Sequence, residues 1–258
     1  MPIYETVTSE KLTVVLDIGT AYTKFGFTGE FAPRNIIKSE VLFVHYEISM
    51  MLIDTSHLVS LASLAVDTAM VVNIGYKRGY SYTCLLWFAH YTGLAKALPL
   101  GAETIHNNLR AILSSNNTGI QNLPESVMED IKIRGTENII IAGKFERAFE
   151  LLYEEDNDHL CLSTMILDAI MKVDVDLKQK LAENLVLIGG TAMAPGFKAK
   201  LKEELEKQLK FDRYNKLNIK NSLSISPCKE NYAAWLGAHT ERTIGITCVM
   251  QSPFHSPQ

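Results

Sequence analysis

Asp17, Gly19, Thr20 and Lys24 are the residues whose types and spacing most clearly suit chemistry. They lie in Val14–Glu30, where an apolar run ends at Asp17, Gly19-Thr20 turns, and a return run carries Lys24. That order aims backbone N–H groups, a hydroxyl and an ammonium at one point, and Asp17 can hold a hydrated cation beside them. Phosphate on a metal ion would satisfy all of these groups. A second stretch of open backbone, Gly189-Gly190-Thr191, follows the apolar run Leu185–Ile188. There a nucleotide's flat, polar end could approach bare peptide groups. The turn at Asn73-Ile74-Gly75 makes a third loop of the same kind.

Such loops need strands to hold them. Leu12–Asp17 reads as a strand and Lys24–Thr28 as its hairpin partner, broken by Pro33-Arg34-Asn35. Val41–His45 is a short strand candidate, and Ser56–Val66 spaces Leu58, Leu61, Ala62 and Ala65 as a helix. Ala69–Asn73 is a buried strand, turned at Gly75, with Ser81–Trp87 returning, so the first hairpin's order recurs as a structural repeat. Helices are expected at Glu103–Leu113, Pro124–Lys132 and Leu162–Met171. Asp174 caps another carrying Leu177 and Leu181 inward, and Pro195-Gly196 opens one striped by Phe197, Leu201, Leu205 and Leu209. Glu137–Ile141 reads as a strand, and Tyr153–His159 as a charged, solvated loop. Strands and helices alternate throughout, which is the pattern of an α/β protein.

The 258-residue chain carries a net charge of −4 and is 47% hydrophobic and 21% charged, which suits a folded globular protein. No global field favours nucleic acid, and no basic patch is interleaved with aromatics. Glu47, Asp54, His57 and Asp67 interrupt the apolar stretch Val41–Tyr76, so it reads as core rather than a membrane span. Met-Pro-Ile-Tyr-Glu-Thr lacks the basic and apolar regions of a secretory signal. Cys84, Cys161, Cys228 and Cys248 are scattered, with no zinc-ligand spacing, and are expected to be free thiols in the cytoplasm. The chain has no Gly-x-Ser-x-Gly, His-Glu-x-x-His or Walker lysine loop.

Asp17-Ile-Gly-Thr-Ala-Tyr-Thr-Lys-Phe-Gly-Phe-Thr-Gly-Glu-Phe-Ala-Pro-Arg34 resembles the first phosphate loop of actin and its relatives. Ile170–Asp176 followed by Leu185–Phe197 resembles the family's approach to its adenosine loop, and Tyr232–Ala238 its tryptophan-containing C-terminal motif. Leu98–Ala102 and Glu129–Lys132 fall between them in the family's order. The resemblance implies an α/β, two-lobed fold of the actin, Hsp70 and sugar-kinase type with duplicated mixed sheets. It implies a first lobe of residues 1–63 with 229–258 and a second of 64–228. Only Asn35–Glu40 lies between the Pro33-Arg34 turn and the Val41–His45 strand, so the first lobe is expected to be truncated and short of strands.

By the same resemblance a degenerate nucleotide site is expected at Asp17, Gly19, Thr20, Lys24, Gly75, Gly189, Gly190, Thr191 and Met193, with no metal ligand and no catalytic residue. It would hold ATP or ADP without turnover. The family's second phosphate loop has an aspartate on each side of its first glycine and another glycine next, where this chain has Asn73, Tyr76 and Lys77. The family's water-positioning glutamine aligns with Ser56, beside His57, and Ala21 replaces a loop glycine. A neutral amide supplies no charge for a divalent ion, and a tyrosine ring cannot order an attacking water as a carboxylate does. The implied role is a cytoskeletal, non-catalytic subunit at the pointed end of dynactin's actin-related filament. Its implied partners are that filament and the other pointed-end subunits, with dynein indirectly. Neither nucleic acid nor membrane insertion is implied. The competing expectation is an ATPase or sugar kinase on the same fold, favoured by the intact Asp17, Gly19, Thr20, Lys24, Gly189 and Gly190.

Overall fold

The computed structural model describes residues 14–39, 52–55, 60–61, 64, 66–77, 79–85, 96–115, 123–134, 146–217, 219, 223–226, 232–240 and 247–250. The expected elements at Val41–His45 and Glu137–Ile141, and most of that at Ser56–Val66, lie outside them.

The Gly19 turn joins β1 (Val14–Ile18) to β2 (Tyr22–Phe27) as an antiparallel pair, and β3 (Asn35–Lys38) continues the sheet beyond β2. On the other side of β1, β9 (Thr247–Met250) runs parallel and carries β4 (Leu52–Thr55) with it. The strand order is therefore β3-β2-β1-β9-β4. The short Asn35–Glu40 connection was expected to leave this sheet short of strands. Instead it has five among the described residues, because the connection's own first residues form β3 and the segment Thr247–Met250 supplies β9.

The second sheet repeats the plan. β5 (Thr68–Ile74) and β6 (Gly79–Leu85) pair antiparallel, β7 (Lys96–Leu98) follows β6, and β8 (Leu185–Ile188) lies parallel to β5, giving β7-β6-β5-β8. Alternation along β5 and β8 explains why both are apolar at almost every position. Met70, Val72, Ile74, Leu185 and Leu187 enter the main core, while Ala69, Val71, Val186 and Ile188 face Leu61 and Ala233 on the other side. A strand buried on both faces cannot alternate in polarity.

Helices cover the main-core face. α1 (Ala102–Ser114) contributes Ile105, Leu109 and Leu113, with Ile112 packed at the margin, and α2 (Glu125–Arg134) contributes Met128. α3 (Leu162–Met171) is buried from Leu162 to Ile170, as a helix apolar all round must be. Its N-terminus is held by a capping box in which Thr164 N donates to Cys161 Sγ and Cys161 N donates to Thr164 Oγ1. Cys161 is a free, buried thiol, as expected. Asp168 is the charge on this buried helix, and Arg213 Nη2 at 2.8 and 2.9 Å and Tyr214 Oη at 2.8 Å satisfy it. In α4 (Val175–Glu183) Asp174 occupies the cap position, but its side chain caps no helix N–H. α5 (Phe197–Gln208) buries Phe197, Leu201 and Leu205, as its stripe predicts, and the short α6 (Asp212–Asn215) buries Tyr214.

α7 (Ala233–Thr240) lies between the sheets. Ala233 packs with the second sheet, while Ala234 and Trp235 pack with Val15 of β1. Trp235 is fully buried, and its Nε1–H donates to Val15 O at 3.2 Å. A Cβ on Gly26 would meet Trp235 Cζ2 at 2.7 Å, so the indole needs a glycine in β2. Trp235→Ala is expected to lower unfolding free energy by about 3–5 kcal/mol, read from urea denaturation.

Candidate functional site

The first turn is held from both ends of its hairpin. Asp17 and Lys24 are cross-strand partners in register, and Lys24 Nζ lies 2.8 Å from Asp17 Oδ2, with the carboxylate buried. Gly19 N–H closes the turn onto Tyr22 O at 3.1 Å. Ser39, directly after β3, donates from Oγ to Gly19 O at 2.6 Å, and its N–H reaches Ala21 O at 3.1 Å. The β1-β2-β3 sheet thus fixes the loop. The Gly19 N–H and the Lys24 ammonium both have partners within the protein.

The second turn lies at the equivalent place, with Asn73 next to last in β5 as Asp17 is in β1. Its carbonyls cap a helix. Ala102 N–H donates to Gly75 O at 3.1 Å and Glu103 N–H to Tyr76 O at 2.8 Å, satisfying donors at the start of α1. Tyr76 Oη donates to Glu125 Oε1 at 2.9 Å, and His106 Nδ1 and Arg110 Nη2 converge on the same carboxylate. Burial alone would raise the Glu125 carboxyl, but the hydrogen bonds from His106, Arg110 and Tyr76 outweigh it and bring it down to about 2. Burial, then the Glu125 hydrogen bond, pushes Tyr76 up to about 12. Burial pushes His106 below its ordinary value against the pull of Glu125.

The third turn needs glycine. Gly189 has φ +101°, and a Cβ there would stand 2.3 Å from Ile74 O and 3.1 Å from Asn73 Oδ1. This close approach joins the ends of β5 and β8. A 3₁₀ turn over Gly190–Met193 follows, in which Thr191 is buried. Asn73 Oδ1 and Thr191 Oγ1 are buried without a hydrogen-bond partner.

The three turns face one cleft of about 270 Å³. Gly19, Thr20, Lys24, Gly75, Gly189, Gly190, Thr191 and Met193 all line it, while Asp17 sits behind Lys24 and does not. Tyr22, Ile36, Tyr76, Glu129 and Lys132 also line it and were not among the expected site residues. Lys132 is fully buried, with Nζ 2.7 Å from the Glu129 carboxylate. Burial lowers its pKa, opposed by Glu129. The i,i+3 spacing of Glu129 and Lys132 signals the pair in the sequence, but not that it faces inward. Ser56 and His57 lie outside the described residues.

A divalent cation does not fit this donor set. Asp17 is neutralised by Lys24, and the facing turn offers the amide of Asn73. Among the described residues no three His, Cys, Asp or Glu side chains cluster as metal ligands.

Residues 145–240 match the family model described as actin. The chain is 33% identical over 92 residues to actin-related protein 4 of Saccharomyces cerevisiae, covering 36% of this chain and 18% of that protein. It is 25% identical over 286 aligned positions to actin-related protein 10 of Dictyostelium discoideum, covering 80% of this chain and 59% of that protein. It is 26% identical over 247 positions to centractin of Saccharomyces cerevisiae, covering 80% and 62%. Residues 145–240 thus carry the pattern of the actin family model, and the two mixed sheets built on one plan are consistent with a shortened actin-like α/β fold. It spans about three-fifths of the length of the latter two relatives and under a fifth of the first.

Two outcomes follow from this geometry. Gly189→Ala is expected to destabilise the protein by more than about 1 kcal/mol in thermal unfolding, because alanine is strained at that φ and meets Ile74 O. Acid is expected to destabilise the cluster in two steps. His106 is held neutral in the fold, so below its ordinary value of about 6.5 the unfolded chain binds more protons and stability falls. Glu125 is held ionised, so its contribution is complete above about 4.3 and is lost as the pH drops toward about 2. Denaturation midpoints from pH 7 to pH 3 (roughly spanning both groups) should decline in wild type and decline less in Glu125→Gln.

Proposed function

We propose that this chain is a non-catalytic actin-related structural subunit, placed at the pointed end of dynactin's actin-like filament and supporting dynein-driven transport on microtubules. The observation that carries the non-catalytic part is the second turn. Asn73 and Tyr76 stand where an active family member would have carboxylates, and the Tyr76 hydroxyl is committed to Glu125. With no ionised pair to hold a cation or order water, phosphoryl transfer lacks its electrostatic machinery. Similarity to actin-related protein 10 and centractin supports the filament part of the reading.

In this reading residues 1–63 with 229–258 form the first lobe and 64–228 the second. Gly19, Thr20, Lys24, Gly75, Gly189, Gly190, Thr191 and Met193, backed by Asp17, form the cleft's nucleotide-type site, which turns over no nucleotide. The partners are the terminal actin-like protomers and the other pointed-end subunits in the cytoplasmic cytoskeleton, with dynein reached through them. Among the described residues no helix is long and apolar enough to cross a membrane. Capping needs one face that accepts a protomer and one that cannot, and a shortened first lobe provides such asymmetry.

The retained Asp17, Lys24 and paired glycines favour a second reading, a working ATPase or sugar kinase. Affinity purification from cells with mass spectrometry is expected to recover pointed-end and filament subunits; their absence would leave only the fold standing. Purified protein is expected to release no phosphate from ATP. Release abolished by Asp17→Ala would establish the enzymatic reading instead.

A further inference from the structure

We infer that the cleft takes an uncharged nucleoside without a divalent cation and discriminates against the nucleoside triphosphate. This rests on reading the cleft as a nucleotide-type site and goes beyond it, because the charge balance decides which form of ligand the site can hold.

Phosphate is held by positive charge or free N–H donors, and both lysines that line the cleft are already paired with carboxylates. Lys24 is 2.8 Å from the buried Asp17 carboxylate. Lys132 is 2.7 Å from Glu129, which lies on the cleft wall beside Gly190. Each ammonium therefore brings a neutralising acid with it, and extracting either from its ion pair strands a buried partner. The Gly19 N–H is bonded to Tyr22 O, and the Ala102 and Glu103 N–H groups at the start of α1 are bonded to Gly75 O and Tyr76 O. The turn's own carbonyls thus take the first two N–H groups of α1 that an anion could use.

A metal ion would ordinarily offset the charge of a polyphosphate. Here Asp17 is tied to Lys24, and Asn73 cannot neutralise a cation. Among the described residues two buried neutral atoms lie at or just behind the cleft wall without a partner. Thr191 Oγ1 and Asn73 Oδ1 are both buried without partners, Thr191 on the cleft wall and Asn73 against Gly189. Such atoms are costly to leave unpaired, and an uncharged donor group or a water carried with the ligand would satisfy them. Tyr22, Tyr76, Ile36 and Met193 add aromatic and apolar wall.

Calorimetric titration of the purified full chain with adenosine, ADP and ATP, each in magnesium and in EDTA, tests this. Adenosine is expected to bind equally well in both, and ATP about tenfold or more weaker. Glu129→Gln leaves Lys132 without its neutralising acid and should narrow that gap. Thr191→Val should weaken adenosine in a protein that still unfolds cooperatively. ATP binding more tightly than adenosine, or tightening about tenfold on adding magnesium, would overturn the inference while leaving the cleft as a nucleotide site. Failure of all three ligands to bind would overturn both.

Discussion

The parallel pairing of β5 with β8 is the constraint on which the rest depends. Both strands are buried on both faces, so they need a helical layer on one side and the α7 segment with Leu61 on the other. Burying one such strand alone would leave its backbone groups unpaired, and the ladder from Met70↔Leu185 to Asn73↔Ile188 satisfies them. The ladder ends where Gly189 presses against Ile74 O, and that contact is possible because glycine has no Cβ. The floor of the cleft is therefore a by-product of closing the core.

The first sheet is built on the same plan and attached at one place. Trp235 fills the space over Gly26 and holds Val15 O, while its neighbour Ala233 belongs to the second sheet's cluster. A helix near the end of the chain thereby sets how β1 stands relative to β5, and with it how the Gly19 and Gly75 turns face one another. The shortened connection between β2 and the following segment does not unmake this sheet, because β3 and β9 complete it.

Charge around the cleft follows a consistent rule. Asp17 with Lys24, Glu129 with Lys132, and Glu125 with His106, Arg110 and Tyr76 are each locally compensated. Low-dielectric surroundings strengthen such pairs but penalise any member left alone. A site arranged in this way preserves its shape better than it attracts a polyanion. The neutral Asn73 takes part in the same economy, since a carboxylate pressed against Gly189 and Ile74 O would need a cation beside it.

Much of this was legible in the sequence. The β1-β2 hairpin with Asp17 opposite Lys24, the helices around Ile105, Ile166 and Leu201, and the glycine turn after Leu185–Ile188 follow from local periodicity and turn chemistry, which act over a few residues. β3, β4, β7 and β9 were not legible, because strands of three or four residues carry too little pattern and exist through partners distant in sequence. Asp168 with Arg213 and Tyr214, and Tyr76 with Glu125, are likewise long-range bonds that no spacing announces. The sequence by itself determined the three turns and the uncharged side chains at Asn73 and Tyr76, since these are matters of residue identity. Only the tertiary structure decided that Glu129 and Lys132 face the cleft and that Gly75 and Tyr76 accept the first two N–H groups of α1. Whether a charge is free depends on what packs against it.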